Sequence, residues 1–258
     1  HLLYARFYTK VLRDLGIVEV DEPFANVLCQ GMVCHASYKV DGEWVYPEEL
    51  AAAEAAGEQV EVGRVEKMSK SKKNTVDPQA MIERYGADTA RLFLLFAAPP
   101  HKDVDWSDAG VEGSFRFLSR IWRLVTRRLE ELQASGPVPS VDALPGPAAA
   151  LLRQVHRTIA RVSDDTERRL QFNTAIAAIM ELLNGLVSFE SEGGEPRSLQ
   201  AAELGVLGFA SRTLLRLLSP FAPHLADELW ELLGEQGMLE DHPWPVHDEA
   251  LLAETVLT

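Results

Sequence analysis

From Asp108 onward the apolar residues fall into a helical rhythm, and that rhythm constrains this chain more than any other feature. Leu118, Ile121, Trp122, Val125, Leu129 and Leu132 mark one stripe of a long helix. A stretch rich in proline, glycine and serine at 135–147 interrupts the pattern, which resumes with Leu151, Leu152, Val155, Ile159 and Val162. Further helices are predicted from about Asn173 to Phe189, from Leu199 to Leu218 and from His224 to Leu233, with Pro220 and Pro223 bracketing the turn into the last. Such helices bury their stripes against one another, so residues 108–258 are expected to form an antiparallel bundle.

Residues 1–107 read differently, as mixed α/β. A helix is predicted over Leu2–Leu15, stopped by Gly16, and the short apolar run Ala25–Val33 reads as a buried strand. Ser37–Val40 and Glu43–Tyr46 flank Asp41-Gly42, a hairpin dipeptide. A short alanine-rich helix after Pro47 and a strand over Gln59–Val65 lead into a loop with four lysines between Lys67 and Lys73. Asp77 and Pro78 supply an N-cap and a first helical residue, Gly86 closes that helix, and another is expected over Asp88–Phe96. The fold class is therefore α/β followed by all-α, divided near residue 107.

Two cysteines in 258 residues exclude a disulfide scaffold and fit a reducing compartment. No stretch is expected to reach the roughly 18 apolar residues that a membrane span needs, and no signal peptide opens the chain. The net charge of −14 is unevenly spread: residues 116–171 hold ten arginines against six acids, the only net-positive block. Local cations act over about a Debye length of ~8–10 Å, so an acidic protein with such a patch still has a phosphate-binding surface. Arg116, Arg120, Arg123 and Arg127 form one helical stripe, and Arg153, Arg157 and Arg161 another. A solvated helix face is the plain reading; phosphate contact along RNA is the functional one. Some of these arginines also have Asp164, Asp165 and Glu167 as possible partners.

The lysine loop, Lys67-Met68-Ser69-Lys70-Ser71 followed by Lys72-Lys73-Asn74, lies between a strand and a capped helix. It lacks the Gly-x-x-x-x-Gly frame of a Walker loop, yet offers ammonium donors to phosphate oxygens. Cys29, Cys34 and His35 do not make a metal site, because no second ligand pair follows. Asp103, Asp105, Trp106 and Asp108 match no calcium loop and read as a junction between domains.

Lys67–Ser71 spells the KMSKS motif, and the chain resembles the class I aminoacyl-tRNA synthetases, in particular the bacterial leucyl-tRNA synthetases. Matching stretches are His1–Phe7, Leu28–Val33, Asn74–Leu92, Gly110–Leu118, Phe172–Leu182 and Trp244-Pro245. The resemblance implies the second half of a Rossmann-type catalytic domain over 1–107 and an anticodon-binding-type, tRNA-gripping bundle over 108–258. It implies ATP-dependent activation of leucine and transfer to tRNA(Leu), with Mg²⁺ accompanying ATP; the residues themselves predict no metal site in this chain, and the reducing surroundings that two cysteines fit point to a cytoplasmic location. Lys70, assisted by Lys67, would act on the phosphates, with Met68, Ser69 and Ser71 shaping the loop; Gly31, Met32 and Val33 would lie near the nucleotide or serve as ordinary strand core. The HIGH motif, the leucine pocket, the editing domain and a small C-terminal domain would lie outside this piece of a longer protein, and alone it is expected to be inactive. Gly63-Arg64-Val65-Glu66 departs from the family's usual lead-in to the motif. A free-standing tRNA-binding module, or a valine or isoleucine sibling, is the alternative reading.

Overall fold

The computed structural model describes residues 2–252; His1, which opens the HLLYARF stretch, and residues 253–258 lie outside the described residues. The chain forms two compact units, residues 1–30 and 31–258. In the first, helix α1 spans Leu2–Asp14 and ends as anticipated at Gly16, whose φ of +70° suits a residue without Cβ. Arg6 and Lys10 hold Glu22, and Arg13 holds Asp21, so the following segment lies along the helix. The Arg6 hydrogen bond depresses the Glu22 carboxyl to about 2.

The strand expected over Ala25–Val33 does not form; regular β-structure starts at Val33. An apolar run becomes a strand only where a neighbour completes its hydrogen bonds, and Val33 is the first residue here with a ladder partner. Strand β1 (Val33–Val40) pairs antiparallel with β2 (Glu43–Val45) on one edge and β3 (Val60–Lys67) on the other. Asp41 and Gly42 both adopt positive φ, 50° and 84°, as a two-residue hairpin requires. A 3₁₀ turn at Pro47–Glu49 and helix α2 (Leu50–Ala55) connect β2 to β3. The register slips between Ala36 and Tyr38, and Gly63 sits against that bulge. A Cβ there would lie 2.5 Å from Ser37 Oγ and 3.1 Å from Ser37 O, so the glycine that opens the lead-in is closely packed against β1.

Strand β3 runs two residues beyond the expected Val65 and carries Lys67 as its last residue. Helix α3 (Pro78–Tyr85) is capped by Asp77, whose carboxylate accepts from the Gln79 amide at 3.0 Å. Helix α4 (Ala87–Ala97) starts after Gly86, and β4 (Val104–Asp105) returns parallel to the start of β1.

Helix α5 (Asp108–Arg127) begins after Ser107, which caps the Gly110 amide, so Asp108 opens a helix as anticipated. The helix expected to continue through Leu132 breaks at Arg128 and resumes as α6 (Leu129–Gln133). At the break the Arg128 guanidinium is buried, donating to Glu190 Oε2 and to the carbonyls of Glu190 and Arg197. Next come α7 (Gly146–Ser163), a π-turn at Asp164–Arg168, and α8 (Phe172–Glu190). A two-residue hairpin of β5 (Ser191–Glu192) and β6 (Glu195–Pro196) was not anticipated; Gly193 and Gly194 turn it with positive φ. Helix α9 (Ala201–Leu218) starts with a Gln200–Glu203 capping box, and α10 (Pro223–Leu232) follows.

Among the described residues one helix, α8, is long and apolar enough by length and composition to cross a membrane, although Asn173, Thr174, Glu181 and Asn184 interrupt its apolar sequence. In this fold it is the bundle's central helix, with Ile176, Ile179, Leu182, Leu183 and Leu186 fully buried between α7 and α9. Leu92 of α4 joins the same core, which therefore continues across residue 107. Polar contacts join the same elements. The Asp88 carboxylate accepts from the Leu225 amide at 2.7 Å and meets His224 Nδ1 at 2.8 Å, while Arg91 donates to Pro220 O. Helix α10 is thus capped by a residue of α4, since its own N-cap, Ala222, has no acceptor.

Candidate functional site: a lysine loop and an arginine face

The loop after β3 is held by one amide. Asn74 is fully buried; its Oδ1 accepts from the Ser69 amide at 2.8 Å and its Nδ2 donates to His35 O at 3.1 Å. Longer contacts reach the carbonyls of Glu66 and Lys67. The Met68 amide donates to Val33 O at 3.1 Å, so the loop leaves the sheet beside the start of β1. Ser69 and Ser71 hydroxyls lie 3.3 Å apart, Lys70–Lys72 make a single 3₁₀ turn, and Lys73 ends it in the left-handed region at φ +51°.

The four lysines divide into two pairs. Lys72 forms an ion pair with Glu66, which also accepts from Ser37 Oγ and is held below the usual carboxylate range chiefly by Lys72. The Lys72 ammonium is also 5.8 Å from the Trp44 ring, and that of Lys73 stands 5.5 Å over Tyr46. Lys67 and Lys70 are exposed, and their ammonium groups have no partner among the described residues. Two cations are therefore built into the fold and two are presented. Sequence reasoning missed Asn74, Glu66, Trp44 and Tyr46 as supports; only the position of an amide directly after the loop hinted at the first.

At Gly31 a Cβ would sit 2.0 Å from Lys102 O, so the close approach that this glycine permits is made by the chain's own backbone. The Gly31 amide donates to Pro100 O and the Met32 amide to Asp103 Oδ1, which gives Asp103 a role in closing the sheet edge. Met32 is half-exposed, and Val33 touches the loop through Met68. Cys34 is a buried thiol whose pKa is raised by burial and by Asp103 and Asp105. Partial burial lowers that of His35.

The arginines of the two helical stripes meet across α8. Arg120 donates to Asn184 Oδ1 at 2.8 Å and Arg161 pairs with Glu181 at 3.2 Å. Glu181 and Asn184 are three residues apart, hence on one exposed face of α8, and the stripes of α5 and α7 flank it. Arg116, Arg120 and Arg123 line a hollow of about 770 Å³ between α4, α5 and α8. Among the described residues Arg116 has a loose contact with Glu112 at 3.7 Å, and Arg123 donates to the Ser119 carbonyl. Arg153 and Arg157 have no side-chain partner among the described residues. Arg127 differs: it pairs with the fully buried Glu190 and belongs to the core's electrostatics. Asp164 and Asp165 are served by Arg168 and Arg169, not by the stripes.

Residues 148–257 match the family model of the anticodon-binding domain of tRNA ligases, and residues 60–107 that of the class I tRNA synthetases for I, L, M and V. The chain is 49% identical over its whole length to the leucine–tRNA ligases of Syntrophus aciditrophicus and Geotalea daltonii, covering 30% and 27% of those proteins. The chain thus spans less than a third of the length of the relatives it matches. A crystal structure of the ternary complex of an Agrobacterium radiobacter K84 leucyl-tRNA synthetase with tRNA and LeuAMS aligns with 98% of the chain and 28% of its own, at 35% identity and a TM-score of 0.67. Over its whole length the chain is thus similar to leucine–tRNA ligases and corresponds to a C-terminal portion of them, with residues 148–257 matching the anticodon-binding domain of tRNA ligases.

Proposed function

We propose that this chain supplies the phosphate-closing loop and the tRNA-gripping helices of a leucine–tRNA ligase. The observation that carries the reading is the division of the lysines: Lys72 and Lys73 brace the loop while Lys67 and Lys70 stay exposed and unpaired. When the leucine carboxylate attacks the α-phosphate of ATP, negative charge grows on the phosphoryl oxygens and the leaving pyrophosphate. Ammonium groups held toward that charge stabilise the transition state more than the bound nucleotide. Lys70 is assigned the main contact and Lys67 the supporting one, with Met68, Ser69 and Ser71 fixing the loop's path beside Val33. Gly31 and Met32 form the sheet edge beneath it. Magnesium belongs with the nucleotide, since Glu66, the carboxylate that precedes the loop, is committed to Lys72 and Ser37.

On this reading, residues 1–107 work as part of the catalytic half and 108–258 as the tRNA-binding half; the class I synthetase match over residues 60–107 and the anticodon-binding match over 148–257 support it. Arg116, Arg120, Arg123, Arg153, Arg157 and Arg161 hold the tRNA backbone, and Arg127 is left to structure. The enzyme works in the cytoplasm with ATP, leucine and tRNA(Leu). The 49% identity to leucine enzymes favours leucine over valine or isoleucine, and an intact lysine loop favours catalysis over a binding-only module.

The test is Lys70→Ala in the full-length synthetase, read by leucine-dependent pyrophosphate exchange. Loss of one such donor lowers kcat about 10²–10³-fold with little change in KM for ATP; a raised KM with normal kcat would refute the assignment. Reversing the charge of Arg120 and Arg123 is expected to raise KM for tRNA and spare leucine activation, and unchanged aminoacylation would refute the arginine face.

A further inference from the structure

Helix α5 turns a second side toward a hollow of about 580 Å³, walled by Tyr85, Phe115, Leu118, Trp122 and Leu225. Phe115 and Trp122 are two helical turns apart, so their rings share one side of α5. They stay 43% and 38% exposed beside a core whose large side chains are fully buried. Tyr85 meets Phe115 edge to face at 5.7 Å, and the Arg84 guanidinium stacks 4.8 Å over Tyr85. Arg123 lines this hollow and also the neighbouring one that holds Arg116 and Arg120, so the aromatic opening lies where the cationic surface passes. Glu228 and His224 are exposed in its lining, and Asp88 is already committed to His224 and the Leu225 amide.

We infer that this hollow receives one unstacked nucleobase of the bound tRNA, a step that rests on the reading of the arginine face as an RNA surface. A nucleobase is apolar on its faces and polar on its edge, and its phosphate is anionic. The hollow offers the complement of each: aromatic rings for the faces, the Glu228 carboxylate as acceptor for an exocyclic amino group, and Arg123 for the phosphate. An apolar polypeptide segment in the same place would leave the Glu228 carboxylate facing it without a partner. The geometry therefore favours a nucleotide.

The experiment uses the full-length synthetase and tRNA(Leu). Trp122→Ala is expected to raise KM for tRNA about 5- to 100-fold, the loss of one base–aromatic stack. Because uniform binding is removed, kcat stays within about twofold. Trp122→Phe, which keeps a ring, restores most of the affinity. Oxidative footprinting of the unaltered enzyme is expected to find Trp122 reactive alone and protected once tRNA is added. An unchanged KM for Trp122→Ala, or equal losses in the Ala and Phe variants, would overturn the inference. So would a Trp122 already protected without tRNA, which would mean that a protein segment fills the hollow. If reversing Arg120 and Arg123 raises KM while Trp122→Ala does not, the arginine face stands and the base pocket alone is lost. If reversing the arginines has no effect, both fall.

Discussion

The Arg128–Glu190 pair gives the sharpest test of how the bundle is held. Arg128 is 4% exposed and Glu190 not at all. Arg128 contacts Glu190 Oε2 at 3.1 Å, the carbonyls of Glu190 and Arg197 at 2.7 and 2.6 Å, and Glu131 at 2.6 Å. In Arg128→Met a buried carboxylate loses one of its two cations. Removing one partner of a buried pair costs about 3–5 kcal/mol. Arg127 still reaches Glu190 from the surface, which moves the electrostatic loss toward the lower end, about 3 kcal/mol. The Arg197 carbonyl is also left without its donor, adding about 1 kcal/mol where water does not reach it, while the Glu190 carbonyl keeps the Arg197 amide at 3.0 Å. The total, about 3–4 kcal/mol, corresponds to a fall in Tm of about 6–16 °C at the scale of ~2–4 °C per kcal/mol for a chain of this size. The double variant Arg128→Met/Glu190→Leu removes the stranded charge as well and is expected to be more stable than Arg128→Met alone. Thermal melts by far-UV circular dichroism and urea midpoints measure both. A melt of Arg128→Met within about 2 °C of the parent, less than 1 kcal/mol on that scale, would refute the reasoning, and so would a double variant less stable than the single.

Three further outcomes follow from the same contacts. Asp88→Ala, which uncaps α10, is expected to cost about 1–2 kcal/mol, while Asp88→Asn keeps an acceptor and costs less; equal melting temperatures for the two would exclude the capping role. Asn74→Ala leaves the Ser69 amide and His35 carbonyl without their partner, a loss of about 2–3 kcal/mol at the loop, so adenylation in the full-length enzyme should fall while tRNA affinity holds, and a normal pyrophosphate exchange rate would count against the amide as the loop's anchor. His156 accepts from the Asp248 amide at 3.0 Å and stacks on Phe209, and burial lowers its pKa below the usual histidine value. The unfolded chain therefore takes up the proton first, so this contribution is present above about pH 6.5 and is lost as pH falls through the lower folded value; His156→Phe should flatten the dependence of Tm on pH in that range, and an unaltered slope would exclude it.

The helices were legible because their cause is local. Apolar spacing marked α7, α8, α9 and α10 to within a few residues, and Asp77-Pro78 marked the start of α3 through a cap that forms within three residues. The Asp41-Gly42 hairpin was equally readable, since positive φ at two successive positions depends on those residues alone. The strand over Ala25–Val33 was misread because apolar content says nothing about whether a neighbour completes the ladder. The break at Arg128 was invisible for a related reason: its partners, Glu190 and Arg197, are more than 60 residues away.

The candidate site divides along the same line. The order of residues alone determined that a cluster of lysines would lie between a strand and a capped helix, and that two arginine stripes would each occupy one helix face, because both follow from short-range geometry. Only tertiary packing decided which charges are occupied. It set Lys72 against Glu66 and Arg127 against Glu190, left Lys67 and Lys70 in the open, and joined the two stripes across α8 through Asn184 and Glu181. A side chain's charge is written in the sequence, but whether that charge is already neutralised depends on what the fold brings within a few ångströms of it, from any distance along the chain.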